Sequence, residues 1–207
     1  MARIPLTPEL LVTYQLFDKA GLIEVFRDIN SIYMQGSTDI VDLGCGHAET
    51  YKAIQEVLGN PYITGYDSDP EALTIARANN PSDKVFFEEH LLPDKNISRT
   101  FNGVISMFFL HQLDDPTILW DSVKQLSGTG TKVCIIDMIR DEDPESRAKT
   151  VSRYAPEVAA VGFDAAIQAA YLIEEIVPQL YNAGLMNLSV DTYDMPDWKV
   201  LVVHGTM

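Results

Sequence analysis

The sequence predicts an α/β fold, namely a doubly wound, seven-stranded, mostly parallel sheet with a C-terminal antiparallel hairpin. Three observations predict it. Short apolar strands alternate with amphipathic helical segments through the middle of the chain. Two β-patterned stretches follow each other closely near its end. The chain also has 207 residues, 46% hydrophobic and 22% charged, which is typical of a single globular domain.

Two helices are predicted before the first strand. Thr7 suits the N-cap and Pro8 suits the first helical position, so the first helix begins near Pro8. Apolar residues that include Tyr14 follow at helical spacing. A second amphipathic stretch extends from Leu22 to Gly36.

The alternation of strands and helices occupies the next hundred residues. We expect strands at residues 40–43, 62–66, 85–87, 104–107 and 132–137, and helices at 48–58, 69–79 and 116–126. Strands that are joined through helices return in the same direction, so this part of the sheet is predicted to be parallel.

The pattern changes after Arg140. A long helical region from about Asp143 to Ala183 is expected first, as an insertion. Two strands are then predicted at residues 188–194 and 198–204. The link between them is too short for a parallel crossover, which needs a dozen or more residues, so they should form an antiparallel hairpin.

Charge and cysteine content exclude some classes of function. Thirty acidic residues against fifteen basic ones give a net charge of -15, which repels phosphate backbones and anionic lipids. We therefore expect no nucleic acid partner and no membrane. Cys45 and Cys134 lack the spacing of a zinc or redox site, so we expect no metal and a reducing, cytoplasmic location. No signal peptide or apolar membrane span is recognisable.

The strongest local motif joins the first strand to a helix and runs from Asp42 to Glu49. Gly44 and Gly46 permit a tight turn and the close approach of a ligand to the main chain. The third glycine of a dinucleotide fingerprint would fall on Glu49, whose carboxylate would repel a pyrophosphate, and no P-loop pattern occurs. This loop is expected to hold a nucleotide-like cofactor without a pyrophosphate.

A second acidic residue narrows the choice of cofactor. Asp67 follows the second strand, 21 residues beyond Gly46, where a carboxylate can accept hydrogen bonds from a ribose diol. Two carboxylates near one loop attract a cofactor that carries a ribose, an amino group and a sulfonium. S-adenosylmethionine fits that description.

At this point the sequence resembles the class I (Rossmann-like) S-adenosylmethionine-dependent methyltransferase family. Residues 40–46, Ile-Val-Asp-Leu-Gly-Cys-Gly, look like its first motif, and residues 65–73 look like its second. Residues 101–116 look like its fourth strand and the following loop. The terminal hairpin also fits this family, whose sheet carries one antiparallel strand. The resemblance covers the chain from about residue 38 to its end.

The resemblance implies roles for individual residues. Asp42, Gly44 and Gly46 would hold the methionine part of the cofactor, with Cys45 in the same loop but without chemistry of its own. Asp67 would contact the ribose, and Ser68 would contact the adenine edge. Met107 would form the wall beside the methyl group, and His90 would be an adenine neighbour.

The chain departs from the family pattern at three places. Ala48 stands where a third glycine is expected, and Asn102 stands where an aspartate is common. Glu89 and His90 replace the usual Gly-Asp after the third strand. These departures weaken the assignment of the adenine contacts.

Candidates for catalysis and acceptor binding lie around the same edge of the sheet. His111 follows the fourth strand and has a side chain suited to deprotonating a hydroxyl or amine acceptor, although it could equally pack or cap a helix. Arg140 could orient an anionic substrate or pair with a carboxylate. Tyr154 and Tyr14 could line the acceptor pocket or pack in the core.

The predicted function is methyl transfer from S-adenosylmethionine to a small-molecule acceptor. Residues 1–37 would form lid helices, 38–140 the cofactor-binding core, 141–184 the helical insertion and 185–207 the hairpin. Two alternatives stay open: another S-adenosylmethionine reaction (decarboxylation, cyclisation or aminopropyl transfer), and a non-catalytic partner subunit with a residual pocket. The acceptor atom and the oligomeric state do not follow from the sequence.

Overall fold

The computed structural model describes residues 21–196 and 198–207. The predicted helix start at Pro8 and the candidate Tyr14 lie outside the described residues. One sheet of seven strands has the order β3-β2-β1-β4-β5-β7-β6. Its strands are β1 Asp39–Leu43, β2 Tyr62–Asp67, β3 Val85–Glu89, β4 Phe101–Met107, β5 Ser127–Met138, β6 Leu188–Met195 and β7 Trp198–Thr206.

All strand pairs from β3 to β5 are parallel, and β7 is antiparallel to both β5 and β6. This confirms the predicted doubly wound sheet and its terminal hairpin. The helices are α1 Leu22–Tyr33, α2 Tyr51–Leu58, α3 Pro70–Asn79, α4 Thr117–Leu126, α5 Pro144–Tyr154, α6 Ala160–Ala169 and α7 Ile173–Ala183, with short 3-10 helices at Leu110–Gln112 and Glu157–Ala159.

The apolar core forms one layer on each face of the sheet, because successive strand residues point to opposite faces. Helices α1 to α3 pack on one face together with Tyr154 and Phe163 from the insertion. Helices α4 and α7 pack on the other face. The carboxyl ends of β1, β2, β4 and β5 therefore meet at one edge, as is usual for ligand sites in doubly wound folds.

Helix α1 is part of this core. Its inner residues Leu22, Phe26 and Ile29 are fully buried in the layer that covers β1 and β5. This helix was expected to belong to a lid, and its burial gives it a structural role. Among the described residues no helix is long and apolar enough to cross a membrane.

Some predicted boundaries were wrong. Helix α2 begins at Tyr51 and not at Ala48, because Ala48 has a positive φ of 55° that a right-handed helix does not permit. The single long helical region is three helices, interrupted by extended backbone at Ala155 and Ala170. Strand β5 also begins five residues earlier than expected, at Ser127, where a register shift accommodates extra residues opposite β4.

Candidate functional site

The loop after β1 is shaped by its glycines. Gly44 and Gly46 have positive φ values of 71° and 50°, which glycine adopts without strain. A Cβ atom at position 44 would lie only 2.3 Å from Cγ of Phe109, so the close packing of this ring requires glycine. Beside Gly46 the corresponding space is open. The backbone of this loop is therefore accessible to a ligand at Gly46 and covered by an aromatic ring at Gly44.

Asp67, at the end of β2, is fixed by two backbone hydrogen bonds. Its Oδ2 accepts from the Gly46 N–H at 2.8 Å, and its Oδ1 accepts from the Asp69 N–H at 2.9 Å. A carboxylate has about four lone-pair directions, so each oxygen can accept one further hydrogen bond. The residue thus ties the glycine loop to β2 and still offers two oxygens to a diol.

A cavity of about 120 Å³ lies between these elements. Gly44, Asp67, Ser68 and His90 contribute to it, and apolar side chains complete its lining: Leu91, Leu92, Phe109, Leu113 and Ile118. Polar groups on one side and aliphatic groups on the other suit the ribose and the base of a nucleoside. The cavity brings together four of the residues that the sequence singled out for cofactor binding.

Asp42 lies at the penultimate position of β1 and is 1% exposed. Neither of its carboxylate oxygens has a hydrogen-bond partner among the described residues. Burial raises the pKa of Asp42 to about 7. The nearby Tyr51 hydroxyl lowers this pKa, whereas the negative charges of Asp67 and Glu49 raise it further. A buried acid without partners is costly, which indicates a site that a bound cation or donor would complete.

The remaining cofactor candidates occupy different surroundings. Cys45 is buried with its thiol towards Gly65 in β2, and burial raises the pKa of this thiol, which makes it inert. Met107 ends β4 and accepts a weak hydrogen bond from Thr50. The two ring nitrogens of His90 lie 2.9 Å from Asp94 and 3.2 Å from Glu88, so only its ring surface faces the cavity.

His111 is held by a carboxylate from β5. Its Nδ1 lies 2.7 Å from Oδ1 of Asp137, and its backbone N–H donates to Oδ2 of the same residue at 3.2 Å. The two side chains are 8% and 2% exposed. Because an ionised carboxylate only accepts hydrogen bonds, Nδ1 carries a proton here, and in the neutral imidazole Nε2 is then the nitrogen with a lone pair. This is the arrangement of an oriented general base.

The dyad adjoins a strained turn. Phe108 has a φ of 56°, which is rare for a bulky residue and indicates strain that its packing holds in place. Its ring centroid lies 6.2 Å from that of His111 and 6.0 Å from that of Trp198 in β7. The turn sends Phe109 towards Gly44 and Phe108 towards Trp198, so it separates the cofactor loop from the region beside the hairpin.

A larger cavity of about 730 Å³ lies beyond Trp198, between the end of β5, the start of α5 and the hairpin. Arg140 lines it, but its guanidinium pairs with Glu175 at 2.6 Å and with Glu142 at 3.6 Å. Tyr154 lies behind Trp198, with its hydroxyl donating to the Pro196 carbonyl. Of the acceptor candidates, Arg140 reaches the cavity and Tyr154 supports its wall.

Sequence reasoning placed Asp137 after the fifth strand at the expected cleft, but it missed the pairing of Asp137 with His111 and the participation of Trp198 and Phe109. An acidic residue inside the apolar strand sequence Cys-Ile-Ile-Asp-Met was a usable signal, because a carboxylate in a central strand needs a partner. No comparable signal marked Trp198 or Phe109, whose positions depend on the turn at Phe108 and on the hairpin register.

Comparisons with known proteins give a family and a fold. A family model described as a methyltransferase domain matches residues 16–172. The "Putative methyltransferase 235L" of Invertebrate iridescent virus 6 is 20% identical over 113 residues, which span 55% of this chain and 42% of that protein. The chain therefore spans less than half the length of this curated relative.

Solved structures share the fold at low sequence identity. The plantazolicin methyltransferase BpumL, in complex with a monoazolic desmethylPZN analog and SAH, is 13% identical with a TM-score of 0.75, over 96% of this chain and 90% of that chain. A SAM-dependent methyltransferase from Aquifex aeolicus is 15% identical with a TM-score of 0.64, over 97% and 94%. At such identities the similarity establishes the fold.

Proposed function

The chain belongs to the methyltransferase domain family, and from that premise we propose that it transfers a methyl group from S-adenosylmethionine to a small-molecule acceptor. The observation that carries the proposal is the juxtaposition of the glycine loop, Asp67 and the His111–Asp137 pair at one edge of the sheet. In our proposal residues 38–140 bind the cofactor, and residues 141–184 and the hairpin bound the acceptor site.

The residues of the cofactor end fit S-adenosylmethionine. The carboxylate of Asp42, which has no hydrogen-bond partner among residues 21–196 and 198–207, suits the positively charged methionine end. The remaining lone-pair directions of Asp67 suit the ribose hydroxyls. Ser68 and the ring face of His90 would border the adenine. When bound, this cofactor supplies a methyl group on a sulfonium sulfur, which retains the electron pair of the broken bond.

The acceptor end supplies a base and excludes water. We propose that Nε2 of His111 accepts the proton that a hydroxyl or amine acceptor loses on methylation. Asp137 keeps the imidazole in the required tautomer and stabilises its protonated form, so it is a positioning residue. Phe108 and Trp198 border this region and keep it apolar.

A small acceptor is favoured by charge and by space. The net charge of -15 opposes binding to nucleic acid, and the 730 Å³ cavity is of the size that holds a drug-sized molecule. Both cysteines are free and buried, which suits a reducing compartment, and we retain the cytoplasm as the proposed location.

Two measurements test the proposal. Calorimetric titration with S-adenosylhomocysteine should give saturable binding at one site per chain, and the absence of binding would contradict every enzymatic use of this cofactor. Incubation with methyl-labelled S-adenosylmethionine and a metabolite mixture should then give a labelled product that is heavier than the acceptor by one methylene. A cyclisation or an aminopropyl transfer would instead leave the label on methylthioadenosine, and a decarboxylation would leave it on a cofactor that is lighter by carbon dioxide; each of these results would reject methyl transfer.

A further inference from the structure

The 730 Å³ cavity beside the hairpin has an apolar floor. Trp198 and Met195 reach it from the two strands of the hairpin, Ile139 from the segment after β5, and Leu172 from the residue before α7. These side chains come from three separate stretches of sequence and offer an aromatic face and aliphatic surfaces. An apolar ligand body would be desolvated here, which favours its binding.

The rim of this cavity is negatively charged. Asp141, Glu142 and Asp143 line it in one run before α5. Two basic residues also reach it, and each pairs with an acid outside this run, although Arg140 also lies 3.6 Å from Glu142 within it. Arg140 contacts Glu175 at 2.6 Å, and Lys199 contacts Asp194 at 2.9 Å. The field that a ligand meets at the rim is therefore that of the carboxylates.

An unpartnered donor lies in the wall of the same cavity. Trp198 is 7% exposed, and its indole Nε1–H has no hydrogen-bond partner among the described residues. A buried N–H group without an acceptor costs free energy, and other buried tryptophans avoid this cost, as Trp120 does by donating to Gln179 at 2.9 Å. This donor is independent of the acidic run, and it calls for an oxygen supplied by a ligand.

We propose that this cavity binds the distal part of the methyl acceptor, and that the acceptor carries a cationic amine, an apolar body and an oxygen that accepts a hydrogen bond from Trp198. The amine would lie against Asp141 and Glu142, and the apolar body against Met195 and Ile139. That the ligand is the methyl acceptor rests on the proposed function. The preference of the cavity for a cationic, partly apolar ligand does not depend on that function.

The bound amine is not the atom that is methylated. An ammonium nitrogen has no free electron pair, so the nucleophile must be a second group of the same molecule. The row from Trp198 through Phe108 to His111 has centroid separations of 6.0 and 6.2 Å, which bounds the distance from the cavity wall to the base. The acceptor is thus a bifunctional molecule whose nucleophile is separate from its amine.

Three small probes that differ only in charge test the cavity without requiring turnover. They are 4-methoxyphenethylamine, the neutral 2-(4-methoxyphenyl)ethanol and the anionic 4-methoxyphenylacetate, each titrated into the full chain by calorimetry or ligand-observed NMR. We expect the amine to bind at least about five-fold more tightly than the alcohol, and the anion not to bind. Equal binding of all three probes would overturn the proposal.

Substitutions at the rim show whether the acidic run binds the amine of the probe. The double variant Asp141→Asn/Glu142→Gln removes two charges but keeps the Asp141 side-chain oxygen that accepts from the Asp143 N–H. It should weaken the binding of the amine about five-fold and leave the affinity for the alcohol unchanged. Glu145→Gln is the matched control, because Glu145 lies in the first turn of α5, directly after the acidic run, but does not line the cavity. Amine binding that is unaffected by the double variant would contradict the assignment.

Trp198→Phe keeps an aromatic ring and removes the donor. It should weaken the binding of the amine and of the alcohol alike, by about three-fold to ten-fold. Equal affinity for wild type and variant would contradict the role of the indole N–H. If the amine binds while S-adenosylhomocysteine does not, the proposed function fails and the cavity assignment stands. If S-adenosylhomocysteine binds and the probes are not distinguished by charge, only the cavity assignment fails.

Discussion

The glycine loop and the cavity beside the hairpin lie at the same edge of the sheet but are built differently. The loop is formed by residues 42–46 and is held to β2 by backbone hydrogen bonds, from the Gly44 and Cys45 N–H groups to the Tyr66 carbonyl and from the Gly46 N–H to Asp67. The cavity takes side chains from the end of β5, the starts of α5 and α7, and the hairpin. A site built from contiguous backbone is recognisable in a sequence, whereas one assembled from distant side chains is not.

This difference also predicts how the two regions respond to substitution. These backbone hydrogen bonds survive most changes of side chain, so we expect the cofactor end to be disturbed most by changes at Asp42, at Asp67 or at the glycines themselves. The acceptor end depends on single side chains, and one substitution can alter its chemistry. The following predictions test this contrast, beginning with the largest effect.

Loss of the base should reduce turnover most. His111→Ala should lower kcat by about 10²-fold to 10⁴-fold, because the proton of the acceptor then has no positioned base. Asp137→Asn should lower kcat less and alter its pH profile, because the imidazole loses the carboxylate that fixes its tautomer. Steady-state kinetics at several pH values, with an acceptor found by screening, measure both effects.

The two regions are separable if S-adenosylhomocysteine binds these variants as tightly as it binds the wild type. His204→Gln is the control, since His204 lies towards the far end of β7 and pairs with Asp191. An unchanged kcat for His111→Ala would remove the dyad from the mechanism.

Removal of Asp67 should weaken the cofactor end. Asp67→Ala loses the two oxygens that accept from Gly46 and Asp69 and that face the cavity, so we expect the dissociation constant for S-adenosylhomocysteine to rise about 10-fold to 100-fold. Calorimetric titration measures it. Glu71→Gln, an exposed change on α3, should leave the constant unchanged. A change of less than two-fold for Asp67→Ala would refute the assigned ribose contact.

The buried carboxyl group of Asp42 should lower the free energy of unfolding of the chain by a measurable amount. Burial raises its pKa to about 7 from 3.8, so only below about pH 3 is the carboxyl group protonated in the folded and unfolded chains alike. As the pH rises towards 7, only the unfolded chain ionises, and the free energy of unfolding falls. Asp42→Asn should therefore raise the free energy of unfolding by about 4 kcal/mol at pH 8 but by less than about 1 kcal/mol near pH 4.

Thermal unfolding of the wild type and Asp42→Asn at both pH values checks this window. The exposed Asp83→Asn is the control and should shift neither midpoint. The same Asp42→Asn variant should bind S-adenosylhomocysteine more weakly, since the buried charge suits the cationic end of the ligand. Equal stabilisation at pH 4 and pH 8 would show that packing and not ionisation is responsible.

The smallest effect is expected at Ala48. Its φ of 55° strains any residue with a Cβ atom, so Ala48→Gly should raise the free energy of unfolding by about 0.5 kcal/mol. Ala53→Gly, in the interior of α2, should lower it by about 1 kcal/mol because glycine is a poor helix former. Chemical denaturation measures both changes. Loss of stability in both variants would contradict the strain at position 48.

Most of the fold could be predicted because its signals are local. Apolar strands, the Asp69 and Asp143 N-caps and the short link in the hairpin each act over a few residues. The boundaries that were wrong have causes outside local propensity. The late start of α2 follows from the backbone of Ala48, and the extension of β5 follows from pairing of Ser127 with Phe101 in β4.

The sequence by itself determined the parallel sheet, the glycine loop and Asp67, because periodicity, turn residues and motif spacing are written into neighbouring positions. Only the tertiary structure joined His111 to Asp137, which are 26 residues apart, and left Asp42 and the indole of Trp198 buried without hydrogen-bond partners in the described part of the chain. The physical reason is that hydrogen bonding and burial depend on which distant side chains the fold brings together. That information is absent from any single stretch of the chain.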